Sequence, residues 1–331
     1  MEKARFKWVL RERNRKIAAK TEVFTEQQAR RVRSFHSSFK EYSPTPLIEL
    51  TSLAQHLGIK NLFVKDESYR FGLNAFKVLG GSFAIGSYIA NELGEDIDDL
   101  PYMRLVSDEV RSLLGSKTFI TTTDGNHGRG VAWTANRLKQ QAIVYMPQGS
   151  AAERLSNIRA EGAQAEITDM NYDDTVRYTS ELAQKNGWII VQDTAWDGYT
   201  RIPLWIMQGY MTMALEAYEQ LPVKPTHIFL QAGVGSLAGS VQGFFADIYG
   251  SSCPLTFIVE PKGADCLYQT AAANDGSLHS VTGRLETIMA GLACGEPNSI
   301  AWEILGNLSD GFISCPDYTA AQGMHILGNP L

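Results

Sequence analysis

A lysine set among apolar residues is the first part of the sequence whose chemistry could be covalent. Lys77 stands in the stretch FGLNAFKVLGG, residues 71–81, with phenylalanine before it and valine and leucine after it. Apolar surroundings desolvate an amine and lower its pKa, and an uncharged amine can form a Schiff base with a carbonyl compound. Lys77 is therefore a candidate nucleophile. The alternative is that Lys77 is an ordinary surface lysine.

A second candidate site lies where a predicted strand runs into a predicted helix, in the stretch TTTDGNHG, residues 121–128. The free N–H groups of a helix N-terminus, together with hydroxyl groups, suit an anion such as a carboxylate. A plain N-cap formed by threonine and aspartate is the alternative. The residues that would contact a substrate here are Thr123, Asp124, Gly125, Asn126 and His127.

A third junction is the glycine-rich stretch QAGVGSLAG, residues 231–239, whose N–H groups can surround a phosphate. Gly233, Gly235 and Gly239 have the spacing GxGxxxG, which differs from the GxGxxG of a dinucleotide-binding turn. A dinucleotide-binding turn nevertheless stays open as an interpretation, because Glu260 follows Gly239 by 21 residues, close to the position of a ribose-binding acid in such proteins. The signatures GxxxxGK[ST], GxSxG and HExxH do not occur.

Strands and helices that alternate along the chain would position these junctions. Such alternation is typical of βαβ units and mostly parallel sheets, whose ligands collect at the C-terminal ends of strands. The predicted strands are residues 62–65, 118–122, 142–146, 165–169, 189–192, 227–230 and 256–260. The predicted helices are residues 80–93, 128–138, 151–161, 173–186, 203–219 and 236–249.

The composition excludes several classes of protein. The chain has 331 residues, of which 44% are hydrophobic and 20% charged, so it can form a full-sized core and is neither disordered nor a disulfide knot. Its net charge of -6 argues against nucleic acid as a partner. No apolar run reaches the roughly 18 to 20 residues of a membrane span, and no secretory signal is evident, so we expect a cytoplasmic protein without a membrane partner. The four cysteines have no metal-site spacing, and a bridge between Cys266 and Cys294 is left open.

Taken together and in this order, the three junctions resemble those of the fold-type II pyridoxal phosphate enzymes, the tryptophan synthase β-like family. The resemblance runs from about residue 42 to the end of the chain. It is carried by KDESYRFGLNAFKVLGG at 65–81, TTTDGNHGRGVAW at 121–133, TDMNYDDTV at 168–176, VQDTAWDGY at 191–199, WIMQGY at 205–210 and AGLACGE at 290–296. It implies an α/β fold with two open, twisted, mostly parallel sheets flanked by helices, in a large and a small domain.

The resemblance also implies pyridoxal 5′-phosphate as the cofactor and assigns residues to it. Lys77 would hold the cofactor as a Schiff base, and Asn126 would donate a hydrogen bond to its ring hydroxyl. The loop around Asn126 would take the α-carboxylate of an amino-acid substrate through main-chain donors. The phosphate would be bound by Gly233, Val234, Gly235, Ser236, Leu237 and Gly239.

Within this family the chain resembles the ammonia-lyases that act on 2,3-diaminopropionate. Serine and threonine dehydratases of the family generally carry a small residue where Asp124 stands, because a hydroxyl leaving group needs no carboxylate there. The second ammonium of a diamino acid can pair with a carboxylate, which can also move its proton. The resemblance therefore implies α,β-elimination of D- and L-2,3-diaminopropionate to pyruvate and two ammonia, with Lys77 and Asp124 as bases on opposite faces. Asp193 is the second acidic candidate.

Two alternatives from other classes stay open. A serine or threonine dehydratase, or a sulfhydrylase of the same fold, would keep the cofactor and change the leaving group. A form that binds cofactor without turnover is the other, because family members continue beyond Leu331 and there supply the residue that faces the pyridine nitrogen. We accordingly expect either that the sequence is a truncated form or that this copy has lost an element of its large domain.

The positions of the motifs predict how the chain divides. Residues 1–83 and 206–331 would form the large domain and residues 84–205 the small one, so that substrate closes the cleft between Lys77 and Asp124. The family is expected to form homodimers. Three aromatic residues would either close the pocket or pack in the core, namely Tyr172, Trp196 and Tyr199.

Overall fold

Two four-stranded sheets organise the chain in the computed structural model, which describes residues 5–12 and 21–328. The strands are β1 Lys7–Leu10, β2 Leu47–Glu49, β3 Phe63–Lys65, β4 Thr118–Thr122, β5 Gln141–Met146, β6 Gln164–Ile167, β7 Ile189–Ile190, β8 His227–Gln231, β9 Leu255–Pro261 and β10 Gly311–Cys315. The helices are α1 Glu26–Ser37, α2 Thr51–Leu57, α3 Lys77–Leu93, α4 Tyr102–Leu105, α5 Asp108–Leu114, α6 Asn126–Arg137, α7 Ala152–Ala160, α8 Tyr172–Asn186, α9 Arg201–Gln220, α10 Ser236–Tyr249, α11 Cys266–Ala273, α12 Ser299–Leu308 and α13 Asp317–Gly328.

The first sheet has the strand order β6-β5-β4-β7, and every neighbouring pair is parallel. Its helices α6, α7 and α8 contact the strands, as expected when βαβ crossovers cover a parallel sheet. Strand β4 lies inside the sheet, and its residues 119–122 are buried. The loop after β4 is the one that carries Asp124, so the rigid centre of this sheet positions that residue.

The second sheet has the order β1-β10-β9-β8. Strands β8, β9 and β10 are parallel, and β1 adds an antiparallel edge in which Lys7 faces Ser314. Helix α10 follows β8 directly, so the glycine-rich junction stands at the C-terminal end of a parallel strand. A separate antiparallel ribbon pairs β2 with β3.

Helix α3 contacts α6 and α9 closely, and small residues allow this. A Cβ atom at Gly80 would lie 2.7 Å from both Ile206 and Tyr210 of α9. A Cβ atom at Gly130 of α6 would lie 2.8 Å from the Cα atom of Val78. The start of α3, where Lys77 stands, is thereby held against α6, which contacts the first sheet, and against α9, which contacts α10.

A buried ion network fixes the segment that leads to Lys77. Arg70 is fully buried, and its Nη2 atom lies 2.7 Å from Glu216 Oε2 on α9 and 2.8 Å from Glu67 Oε1. Lys65 Nζ contacts the same Glu216 oxygen at 2.9 Å. Burial raises the pKa of Glu216, but Arg70 and Lys65 outweigh this and lower it to about 2.

The predicted fold class is confirmed, with two mostly parallel sheets flanked by helices. Each predicted strand and helix overlaps a strand or helix of the structure. Strands β1, β2 and β10 were not predicted, nor were helices α1, α2, α4, α5, α11, α12 and α13. The division into domains stays a prediction, and its two boundaries, at residues 83/84 and 205/206, fall inside α3 and α9. All four cysteines are free thiols, so Cys266 and Cys294 are not bridged. Among the described residues, none of the helices is both long and apolar enough to span a membrane.

Candidate active site

The three junctions meet at one cavity of about 140 Å³. Lys77, Asp124 and Asn126 line it, together with the glycine-rich residues 231–237 and Asp193. The chain thus brings together residues that are more than 150 positions apart in the sequence, because the C-terminal ends of β4, β7 and β8 converge on the start of α3. The candidate residues Thr123, Gly125, His127 and Gly239 are not among those that line this cavity.

Lys77 forms an ion pair with Asp193, with Nζ 3.0 Å from Oδ2. Burial alone lowers the pKa of Lys77, but the surrounding negative charges, Asp193 first among them, together outweigh burial and raise the pKa above its ordinary value. Lys77 in turn helps to lower the pKa of Asp193 to about 2 against the effect of burial. The expectation of a lowered lysine pKa is therefore wrong for this form of the protein, because the sequence does not reveal the carboxylate beside the amine.

The glycine-rich junction forms an anion cradle at the start of α10. Gly235 has a φ of +102°, a left-handed conformation that favours glycine. In the described part of the chain, the amide groups of Val234, Gly235, Ser236 and Leu237 donate to no other protein group. The Ser236 hydroxyl donates to the carbonyl oxygen of Asp193 at 2.5 Å, so this residue would bind an anion through its amide.

Asn298 fixes the cradle to the residue that pairs with Lys77. Its side chain is fully buried, and Nδ2 donates to the Asp193 carbonyl at 3.0 Å and to Ser236 Oγ at 2.8 Å. Its amide donates to the carbonyl of Val234 at 2.8 Å. Sequence reasoning missed this residue, because it lies about 60 residues beyond the loop it supports and no spacing rule links them.

The loop after β4 offers a second set of free amides. Thr123 Oγ1 accepts a hydrogen bond from the Gly125 amide at 2.9 Å, which shapes the turn before α6. The amides of Asn126 and His127 have no acceptor within residues 5–12 and 21–328, so they can receive a carboxylate. The Asn126 side chain is exposed and lines the cavity. Asp124 Oδ2 lies 3.0 Å from Nη1 of Arg154.

The His127 side chain turns away from the cavity. Nε2 donates to the carbonyl oxygen of Val191 at 2.8 Å, and the ring is buried. Burial lowers the pKa of His127, so the imidazole is neutral. The predicted contact of His127 with substrate would therefore use its main-chain amide.

Tyr210 is a lining residue to which sequence analysis gave no role. It lies on α9, is 1% exposed, and its hydroxyl has no hydrogen-bond partner among the described residues. Burial raises the pKa of Tyr210, so the hydroxyl keeps its proton and acts as a donor. Because a buried polar group without a partner costs about 1 to 3 kcal/mol, this hydroxyl fits a bound ligand. The motif WIMQGY contains Tyr210, but the sequence did not indicate that its side chain lines the cavity.

The aromatic candidates divide between two places. Tyr172 and Trp196 line a neighbouring cavity of about 260 Å³ that shares Val234 and Cys294 with the first. The Tyr199 hydroxyl donates to the carbonyl of Ile190 at 2.9 Å, so this side chain packs behind the loop. Only the first two therefore stand where they can border a pocket.

The cavity fits pyridoxal phosphate together with an amino acid. It offers a lysine amine, an amide cradle for a phosphate, a buried hydroxyl donor without a partner among the described residues, and a second set of free amides. These features define an α/β enzyme that uses a phosphorylated carbonyl cofactor bound through lysine. Residues 39–329 match the family described as "Pyridoxal-phosphate dependent enzyme", and the chain belongs to that family. The predicted family and cofactor are confirmed.

Individual proteins of known name support this membership. The chain is 53% identical over 303 residues to the diaminopropionate ammonia-lyase of Salmonella typhimurium, which covers 90% of this chain and 75% of that protein. It is similar to the crystal structure of holo diaminopropionate ammonia lyase from Escherichia coli, with a TM-score of 0.90, 50% identity and coverage of 98% and 81% of the two chains. The same Escherichia coli enzyme with an aminoacrylate-PLP azomethine reaction intermediate gives a TM-score of 0.88, 49% identity and coverage of 98% and 80%.

Proposed function

We propose that this protein catalyses the α,β-elimination of 2,3-diaminopropionate to pyruvate and two ammonia, with pyridoxal 5′-phosphate as cofactor. The observation that carries the proposal is the position of Asp124 on the same cavity as Lys77. A carboxylate at this point can pair with the second ammonium group of a diamino-acid substrate. A substrate with a hydroxyl leaving group does not need such a partner. The curated relatives named above carry the same activity in their names.

The residues of this chain divide the binding of cofactor and substrate. Lys77 would hold the cofactor, the amides of residues 234–237 its phosphate, and Asn126 its ring hydroxyl. The free amides of Asn126 and His127 would take the substrate α-carboxylate, with the positive end of α6 adding to the attraction. When bound, the cofactor supplies an electron sink that makes the Cα proton acidic.

The proton movements belong to two bases. Asp124 accepts the Cα proton of one enantiomer, and the Lys77 amine accepts that of the other, because Asp124 reaches the cavity from the loop after β4 and Lys77 from the start of α3. Asp193 stabilises the positive charge on Lys77 after such a transfer, since its carboxylate lies 3.0 Å away. Asp124 also pairs with the departing amine and returns a proton to it.

We further propose the larger arrangement. Residues 1–83 and 206–331 form the domain that anchors the cofactor, residues 84–205 form the smaller domain, and closure between them excludes water from the cavity. The protein acts on a small amino acid in the cytoplasm and forms a homodimer. Asp124 and Asp193 both belong to the smaller domain in this proposal, whereas Lys77 belongs to the larger one.

A product ratio tests the proposed reaction. The cofactor-loaded protein is incubated with D- and L-2,3-diaminopropionate, and separately with serine and threonine, and keto acid and ammonia are measured together. The expected result is two ammonia for each pyruvate, with diaminopropionate as the better substrate by kcat/KM. One ammonia for each keto acid, with serine or threonine as the better substrate, would establish a dehydratase instead.

A further inference from the structure

Asp124 is held from outside the cavity by one arginine. Nη1 of Arg154, on α7, lies 3.0 Å from Asp124 Oδ2 and 3.0 Å from the main-chain oxygen of the same residue. One guanidinium nitrogen thus contacts both the carboxylate and the backbone of a single residue. Such a charge-assisted contact restricts rotation of the Asp124 side chain more than a contact with the carboxylate alone.

Arg154 also packs across the turn that follows Asp124. A Cβ atom at Gly125 would lie 2.9 Å from Cδ of Arg154, so the aliphatic part of the arginine occupies the space beside this glycine. Gly125 has a φ of +154° and is the N-cap of α6, whose first amides are the proposed carboxylate site. The arginine therefore supports the carboxylate and the turn together.

Arg154 has no place in the cavity itself. It is not among the described residues that line the cavity, and its side chain is 42% exposed, whereas Asp124 lines the cavity. The other candidate base, Lys77, pairs with Asp193 and not with Arg154. An effect of Arg154 on the reaction must then pass through Asp124 and its loop.

We propose that Arg154 is a positioning residue that fixes the Asp124 carboxylate for proton transfer, and that its contribution is confined to the enantiomer for which Asp124 is the base. This rests on the proposed function. Because Lys77 is the base for the other enantiomer, loss of Arg154 should slow turnover of one enantiomer and leave turnover of the other nearly unchanged. A lysine at position 154 keeps the positive charge but not the planar fork, so it restores the effect in part.

The test compares kcat and KM for D- and L-2,3-diaminopropionate in Arg154→Gln, Arg154→Lys and a control, Arg159→Gln. Arg159 lies on the same helix, is exposed, and donates to the carbonyl of Ala165 and not to Asp124. In Arg154→Gln, kcat for one enantiomer should fall by about ten- to hundredfold, which matches the loss of one charge-assisted hydrogen bond, and kcat for the other by much less. Arg154→Lys should recover part of the loss, and the control should behave as the unmutated protein.

A double-mutant cycle with Asp124→Asn completes the test. If Arg154 acts through Asp124, Arg154→Gln should cost the sensitive enantiomer little more once Asp124 is already changed. Equal losses for both enantiomers, additive effects in the cycle, or a rise in KM alone would overturn the inference; the last would mean that Arg154 binds the substrate carboxylate directly. Failure of the unmutated protein to eliminate either enantiomer would instead refute the proposed function, and the inference with it.

Discussion

The Nζ atom of Lys77 lies 3.0 Å from Oδ2 of Asp193, and this ion pair sets the charge of the amine. The pair joins the start of α3 to the loop after β7. Because Asp193 and the other negative charges around the amine together outweigh burial, Lys77 holds its proton more tightly than an ordinary lysine.

Asp193→Asn should lower the pKa of Lys77, since burial then acts on the amine against less negative charge. Acylation of Lys77 in the cofactor-free protein, followed by peptide mass spectrometry across a pH series, measures this. The midpoint of the reaction should move to lower pH. Asp197→Asn, an exposed change in the same loop, is the matched control. An unmoved midpoint in Asp193→Asn would show that the carboxylate does not control the amine.

Asp124→Asn should separate the two enantiomers of the substrate. Asparagine keeps the size and the capping ability of aspartate but is not a base. Turnover of the D form should fall by about 10² to 10⁴, the usual size of a general-base contribution, while the L form loses much less. Steady-state kinetics with each pure enantiomer measures the split. Equal and mild losses would make Asp124 a structural residue.

Tyr210→Phe should weaken cofactor binding without destabilising the cofactor-free protein. The hydroxyl has no protein partner within residues 5–12 and 21–328, so its removal breaks no hydrogen bond there. Urea unfolding without cofactor should change by less than about 1 kcal/mol, and the dissociation constant of the cofactor should rise by up to about tenfold. Tyr218→Phe, on the same helix but away from the cavity, is the control. An unchanged dissociation constant of the cofactor in Tyr210→Phe would show that the Tyr210 hydroxyl does not bind the cofactor.

Glu216→Gln should destabilise the fold by about 3 to 5 kcal/mol at neutral pH, because Arg70 and Lys65 lose a buried counter-charge. The folded pKa of about 2 lies below the ordinary value of 4.5, so the carboxylate stabilises the fold above pH 4.5 and less as the pH falls toward 2. The difference between the variant and the unmutated protein should therefore shrink in acid. Urea unfolding at about pH 7 and about pH 3 measures it.

An exposed carboxylate on the same helix provides the control for that experiment. Glu219 pairs with Arg30 and Arg33 at the surface. Glu219→Gln should change the unfolding free energy by less than about 1 kcal/mol at either pH. If the two substitutions change the unfolding free energy by similar amounts, burial of the Arg70 network adds nothing to stability beyond what a surface ion pair adds.

Local signals in the sequence were sufficient for much of the scaffold. Glycine-rich turns between a β-rich run and a helical pattern predicted the strand-to-helix junctions at β4 and β8, since the chemistry of each turn lies within a few residues. The edge strand β1 was not predicted, because its residues Lys7–Leu10 stand within a basic N-terminal stretch and gain their pairing from β10, about 300 residues later. Such pairing leaves no local pattern.

The candidate site shows the same limit. Lys77 and the phosphate cradle stand in recognisable motifs, whereas Arg154 and Asn298 act on those motifs from separate elements. A lone arginine in a helix and a lone asparagine before one have many ordinary uses, so neither is a signal in one sequence. The raised pKa of Lys77 was likewise hidden, because its cause is Asp193, which is 116 positions away.

Peptide mapping after borohydride reduction identifies the lysine that holds the cofactor. The cofactor-loaded protein is reduced, digested and analysed by mass spectrometry, beside Lys77→Ala treated in the same way. We expect one reduced phosphopyridoxyl group on the peptide that contains Lys77, and none in Lys77→Ala, which should keep its fold and bind the cofactor weakly through the amides of residues 234–237. A phosphopyridoxyl group on another lysine of the unmutated protein, or the same mass increment retained in Lys77→Ala, would contradict this expectation.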